Sequence, residues 1–251
     1  MNLLGQQWWA KFLPTIAIVI CVAVSLPVGA KAQPAIPPSV LETRGTEQVV
    51  LVEAPRWSST QGTLRAFEKR GSNWVEVIPT VQAKLGYGGL VPGNKRVQGT
   101  GKTPTGTYGL ISAFGTKKNP SGKIPYTKVS KYDAWTYNPK VPSTYNIFQT
   151  AKKSWKGYGK FVERLNYFGV QYNYSLVLDF NLPKGTISTG TNGIKRTIEP
   201  ADTRRGGGIF LHVTNGSKTA GCVAVRQSVM KEILQWLEPT LNPQIIIQVT
   251  S

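Results

Sequence analysis

From Thr46 to the C-terminus the apolar residues come in short runs, each broken after a few positions by Gly, Pro, Asn or Ser. Such a chain rarely sustains the spacing that gives a helix one apolar face, but it suits strands joined by turns. With 26 glycines and 17 prolines it has the turn residues to match. QVVLVEAP (48–55) reads as a strand. GTLRAFEKRGSNWVEV (62–77) reads as a hairpin turning at Arg70-Gly71-Ser72-Asn73. GTYGLISAFG (106–115), SLVLDF (175–180), GGIFLHV (207–213) and QIIIQVT (244–250) follow. The near-continuous apolar character of SLVLDF and GGIFLHV suits strands covered on both faces. One segment departs from the pattern. Val229, Ile233, Trp236 and Leu237 fall on one helical stripe, with Ser228 predicted as N-cap and Pro239 as stop. The expected fold is therefore mainly β, one domain over 46–251, with a C-terminal helix packed on the sheets. There is no internal repeat. The lysine-rich, aromatic stretch 116–172 is expected to form long loops over one face of the sheet, where binding groups commonly sit.

Ahead of this domain the chain changes character. Lys11 precedes an uncharged apolar run from Phe12 to Ala30, broken by Pro27 and followed by Ala30-Lys31-Ala32. This is the pattern of a secretory signal peptide over 1–32, cut after Ala32. Left uncut, the same run is long enough to act as a membrane anchor. No other run approaches that length. A lipid-anchored cysteine is a poor match, because Ile20 rather than a small residue precedes Cys21. Residues 33–45, QPAIPPSVLETRG, form a proline-rich linker. The expected location is outside the cytoplasm, in the periplasm or at the cell wall.

The formal net charge of +18 drops only to about +16 when Lys11 and Lys31 leave with the signal. A surface of that sign favours anionic partners, with polymers of a cell envelope as one candidate. The basic residues are spread over loops, with no zinc-finger spacing, no RNA-binding strand motif and no basic heptads, so nucleic acid is not expected.

Cleavage would also remove Cys21 and leave Cys222 as the only thiol. Ten residues before it stands His212, the only imidazole. Two readings of IFLHVTNGSKTAGCVAV (209–225) are open at this point. In one, both residues are packing groups, since free cysteine is among the most often buried types. In the other they are a nucleophile and its base. A thiol is mostly protonated at neutral pH, and a neighbouring imidazole can take its proton. Gly221 allows close backbone approach, and the N–H groups of Gly221 and Cys222 are candidate oxyanion donors. Thr219 brings a hydroxyl, and the carbonyl of Val213 is a candidate partner for the imidazole. A metal site is not expected, because one His and one Cys are too few. Tyr87, Tyr108, Trp135 and Tyr137 are candidates to line a groove or simply to pack. The glycine-rich GYGGLVPGNKR (86–96) opens no helix and so makes a poor phosphate cradle.

HVTNGSKTAGCVAV is similar to the signature of the L,D-transpeptidase (YkuD) family, a His followed after a gap by Ser/Thr-x-Gly-Cys, met here by His212, Thr219, Gly221 and Cys222. GTGKTPTGTYGL (99–110) resembles the family's Thr-Pro-x-Gly-Thr-Phe/Tyr segment, and the resemblance runs over roughly 75–250. It implies a YkuD-like β-sandwich with a capping helix and no cofactor. It implies peptidoglycan stem peptides as substrate, with Cys222 attacking a tetrapeptide stem, His212 acting as base and then acid, D-alanine leaving, and 3→3 cross-links formed. Water as acceptor would make the chain an L,D-carboxypeptidase; loss of catalysis would leave a cell-wall-binding module. The commoner family pattern carries Arg two residues after the cysteine. Here that place is Ala224, which leaves open how the site grips the donor peptide and its carboxylate; Arg226, Tyr108 and Tyr87 are candidate substrate-binding residues.

Overall fold

The computed structural model describes residues 35–250, apart from 152 and 154. The expected signal segment 1–32, with Cys21, lies outside the described residues.

The core is one sheet built from the sequence's apolar runs. β1 (Gln48–Ala54) pairs antiparallel with β2 (Gln61–Arg70), which turns at Gly71-Ser72 into β3 (Asn73–Lys84). β3 runs further than its sequence pattern suggests, because Pro79 falls where the register with β2 slips between Leu64 and Ala66. A bulge tolerates a residue with no N–H to give. β4 (Leu90–Pro92) runs parallel to the start of β5 (Thr103–Gly115), and the short β6 (Tyr126–Lys128) runs parallel to its end.

Beyond β5 the stretch expected to be loops contains structure of its own. β7 (Ala134–Thr136) is flanked by β8 (Ile147–Gln149) and β9 (Val162–Arg164) in a separate three-stranded sheet. The main sheet resumes with β10 (Ser175–Leu178), after which β11 (Ser188–Thr189) and β12 (Lys195–Arg196) form a small hairpin. β13 (Phe210–Val213), β14 (Val223–Val225), a ten-residue helix and β15 (Gln244–Val249) complete the chain.

The strand order is β10-β13-β14-β3-β2-β1-β15-β5-β4, and β5 also pairs with β10. That last pairing closes the sheet on itself. The two layers of the expected sandwich are thus continuous, and the mainly β expectation holds.

Burial follows the pleat. Val50 and Val52 of β1 point into the main core with Leu64, Leu176, Leu211, Val213, Val223, Val225, Ile245 and Ile247. Val49 and Leu51 point the other way, to Phe67, Ile246 and Val40. Val40 comes from α1 (Pro38–Leu41), a single turn within the segment expected to be a linker. α2 (Gln227–Trp236) sends Val229, Met230, Ile233 and Leu234 into the main core. It starts one residue before Ser228, with Arg226 at the N-cap position and no side-chain capping bond. Among the described residues no helix is long and apolar enough to cross a membrane.

One buried polar side chain ties the inserted sheet to the segment that leads into β13. Asn146 Oδ1 accepts hydrogen bonds from Trp135 Nε1 at 2.6 Å and from Gly208 N–H at 2.8 Å. Its Nδ2 donates to the carbonyls of Asn181 at 2.6 Å and Phe180 at 3.2 Å. Every polar atom of this side chain is used, and the residue is 1% exposed. Asn146→Ala would strand two donors and two acceptors in the interior, so urea unfolding should report a loss of about 3 kcal/mol or more. A loss under about 1 kcal/mol would mean that water replaces these bonds freely.

Candidate active site

The geometry of the site follows from one strand pair. β13 runs parallel to β14 with Leu211 opposite Val223 and His212 opposite Ala224. Side chains alternate along a strand. Leu211, Val213, Val223 and Val225 therefore face the main core, while Phe210, His212, Cys222 and Ala224 share the opposite face. Cys222 sits beside Phe210, and its sulfur accepts from Phe210 N–H and donates to the Gly208 carbonyl, both at 3.4 Å. His212 lies one step along the same face.

The loop between the two strands is held from below. Thr219 N–H donates to the Leu85 carbonyl, and Tyr87 N–H donates to the Thr219 carbonyl. The Thr219 hydroxyl donates to the Cys222 carbonyl at 2.6 Å and accepts from Gly221 N–H at 3.1 Å. Thr219 thus closes the turn that presents the cysteine. It also occupies the Gly221 N–H, which the sequence had offered to an oxyanion.

His212 Nδ1 lies 2.9 Å from the Val213 carbonyl. A carbonyl can only accept, so Nδ1 carries the proton of the neutral ring and Nε2 is left as the basic nitrogen. The imidazole is 3% exposed and packs edge-to-face on Tyr172, with ring centroids 5.5 Å apart. Burial pulls its pKa down to about 4, partly countered by the Val213 carbonyl. Burial also pushes the Cys222 thiol up to about 12; Glu163 adds to that rise, while Phe210 N–H and Arg96 oppose it. In the free protein both groups are therefore neutral, a thiol and an imidazole on the wall of one cavity.

Both residues line a cavity of about 670 Å³, whose walls include Arg96, Tyr137, Glu163, Tyr172 and Gly208. Glu163 comes from β9 and accepts a hydrogen bond from Tyr172 Oη. Burial raises its carboxyl to about 7, against the pull of that hydrogen bond. Tyr172, Phe114, Phe210 and Trp135 pack edge-to-face behind the sulfur. Trp135 is thus a core residue, whereas Tyr137 faces the cavity.

The other candidates lie elsewhere. Arg226 is exposed at the start of α2 and is not part of the cavity wall. Tyr108 packs on Phe180, donates to the Thr105 carbonyl and borders a different groove. Tyr87 is 55% exposed and donates to the Gly99 carbonyl. Arg96, Glu163 and Tyr172 were not singled out from sequence. One cue was available for Glu163: it is one of only two acids between residues 116 and 172, the other being Asp133. Among the described residues no group of three His, Cys, Asp or Glu could hold a metal ion.

The fold is thus a closed, mainly β sheet whose parallel strand pair presents one cysteine and one histidine to a cavity. The model of the L,D-transpeptidase catalytic domain (YkuD) matches residues 58–247, and the chain belongs to that family. A comparison with curated proteins finds no match. Among solved structures, that of Bdellovibrio bacteriovorus Bd1075 is similar at 17% identity with a TM-score of 0.39. The match covers 82% of this chain and 50% of that one, so this chain spans about half the length of the structure it matches.

Two outcomes are expected from the electrostatics. Alkylation of Cys222 by iodoacetamide should accelerate with pH up to and beyond about pH 9, as for an unactivated thiol. A plateau already reached below about pH 8 would reveal a preformed thiolate–imidazolium pair. For Glu163, the raised carboxyl means that the unfolded chain binds fewer protons between 4.5 and about 7. Stability from this group is therefore lost as pH rises through that window. Glu163→Gln should gain in melting temperature relative to the parent at pH 8 more than at pH 4; an equal difference at both would contradict the shift.

Proposed function

We propose that the chain is an exported cysteine L,D-transpeptidase acting on peptidoglycan tetrapeptide stems. The observation that carries this reading is the shared face of β13 and β14, which sets Cys222 and His212 on one cavity wall. Membership of the family supports the reaction class. Export rests on the sequence pattern of residues 1–32.

The chemistry begins from the neutral pair. As the sulfur attacks the carbonyl preceding the terminal D-residue, its proton passes to His212 Nε2, and charge separates only once the substrate is in place. The Gly208 carbonyl must then release the thiol hydrogen it holds in the free protein. The Val213 carbonyl keeps the ring oriented and stabilises the imidazolium. With Gly221 N–H held by Thr219, Cys222 N–H remains the proposed oxyanion donor. His212 returns the proton to the leaving amine of D-alanine, and a thioester of the tripeptide remains on Cys222. An amine of a second stem attacks the thioester and gives a 3→3 cross-link; water in its place gives carboxypeptidase activity. The large positive charge favours an anionic wall as the surface on which this takes place.

Purified protein incubated with disaccharide-tetrapeptide should release D-alanine and form cross-linked dimer or free tripeptide, read by mass spectrometry. Cys222→Ala should abolish both, and His212→Gln should slow them about a thousandfold. Undiminished release by Cys222→Ala would overturn the proposal, and a parent protein that binds stems without turning them over would make the chain a wall-binding module.

A further inference from the structure

The family's usual arginine two residues after the cysteine is absent, and Ala224 in its place is buried against Lys84 of β3 and His212 of β13. An arginine nevertheless reaches the site from a different part of the chain. Arg96 ends the glycine-rich segment 86–96, and its side chain is drawn into the cavity that holds Cys222, where the residue is 5% exposed.

The guanidinium is held by the backbone. Nε donates to the Lys102 carbonyl at 2.9 Å, and Nη1 donates to the Arg205 carbonyl at 2.7 Å. One face stacks on the Phe180 ring, 5.6 Å from its centroid. Two glycines leave room for it. A Cβ on Gly206 would lie 2.0 Å from Nη1, and one on Gly221 would lie 2.9 Å from Nη2. Both glycines have positive φ, +80° and +132°, so side chains are disfavoured there on two counts. Nη2 thus sits against the residue that precedes the nucleophile. Among the described residues it has no protein acceptor, and no carboxylate lies within ion-pair reach of Arg96.

A desolvated cation without a counter-ion is costly, and a planar guanidinium with free N–H groups matches a carboxylate. The proposed substrate supplies one: the terminal D-alanine carries its carboxylate a few bonds beyond the carbonyl that Cys222 attacks. We infer that Arg96 binds the terminal carboxylate of the donor stem and so selects peptides with a free D-terminal acid, the role left open by Ala224. This rests on the L,D-transpeptidase reading. The glycines at 206 and 221 then serve to admit the guanidinium rather than to loosen the loop.

The test compares a tetrapeptide stem ending in D-alanine with the same stem ending in D-alanine amide. The parent protein should prefer the acid by about a hundredfold in kcat/KM, from a charge-assisted hydrogen bond that the amide lacks. Arg96→Gln should bring the two substrates to within a few-fold of each other, mainly by slowing the acid, and Arg96→Lys should restore part of the preference. Parallel losses on both substrates would show that Arg96 only supports the loop or the oxyanion, and would overturn the inference. Equal rates for acid and amide with the parent protein would do so as well, even if Arg96→Gln failed to fold. Binding to the Cys222→Ala protein, followed by calorimetry, separates this inference from the reaction itself. Tighter binding of the acid than of the amide supports the carboxylate site even without turnover. Equal affinities refute it, whatever becomes of the transferase reading.

Discussion

The site depends on the register between two short parallel strands. With Leu211 opposite Val223, the side chains of Phe210, His212, Cys222 and Ala224 fall on one face and those of Leu211, Val213, Val223 and Val225 on the other. A slip of one residue would turn one strand's set inside out, putting either the thiol or the imidazole into the aliphatic core. The register is fixed from both sides. Four aliphatic side chains are locked into the main core with α2, and Thr219 pins the connecting loop to Leu85 and Cys222. Further support comes from the inserted sheet, through Asn146 and the Gly208 backbone whose carbonyl accepts the thiol proton.

The same burial that positions the pair also keeps it neutral. An imidazole drawn down to about 4 and a thiol raised to about 12 do not exchange a proton in the free protein. Under the proposed mechanism the substrate changes that balance, because attack on a carbonyl delivers the negative charge from sulfur to an oxygen that can be hydrogen-bonded. A resting neutral thiol is also a weaker target for adventitious oxidants than a thiolate.

Much of the scaffold was legible in the sequence because its strands are covered on both faces or alternate cleanly. The runs at 48–54, 175–178, 210–213 and 244–249 appear as strands where the apolar pattern puts them. The extension of β3 past Pro79 was hidden, since a proline argues against a strand unless a bulge accommodates it. The three-stranded sheet inside 116–172 was hidden too: its strands are three residues long and are held by pairing and by Asn146 rather than by an apolar run. In the site, Cys222 and His212 stood out by rarity and by the Thr-x-Gly-Cys frame. Arg96 lies 126 positions from Cys222 and is one of many cations, so nothing local marks it. What singles it out is burial without a counter-ion, which only the folded chain reveals. Glu163 did carry a cue, as one of two acids in 116–172, but its place in the cavity wall depends on the pairing of β9 with β7, whose three-residue strands no apolar run announces.

In the proposed reaction Cys222 carries the tripeptide as a thioester, with His212 as its base. Intact-protein mass spectrometry after rapid mixing with a tetrapeptide stem should then detect an adduct of the tripeptide's mass, mapped to Cys222 by proteolysis, formed far more slowly in His212→Gln and not at all in Cys222→Ala. Release of D-alanine with no adduct at Cys222, and at an equal rate in Cys222→Ala, would contradict it.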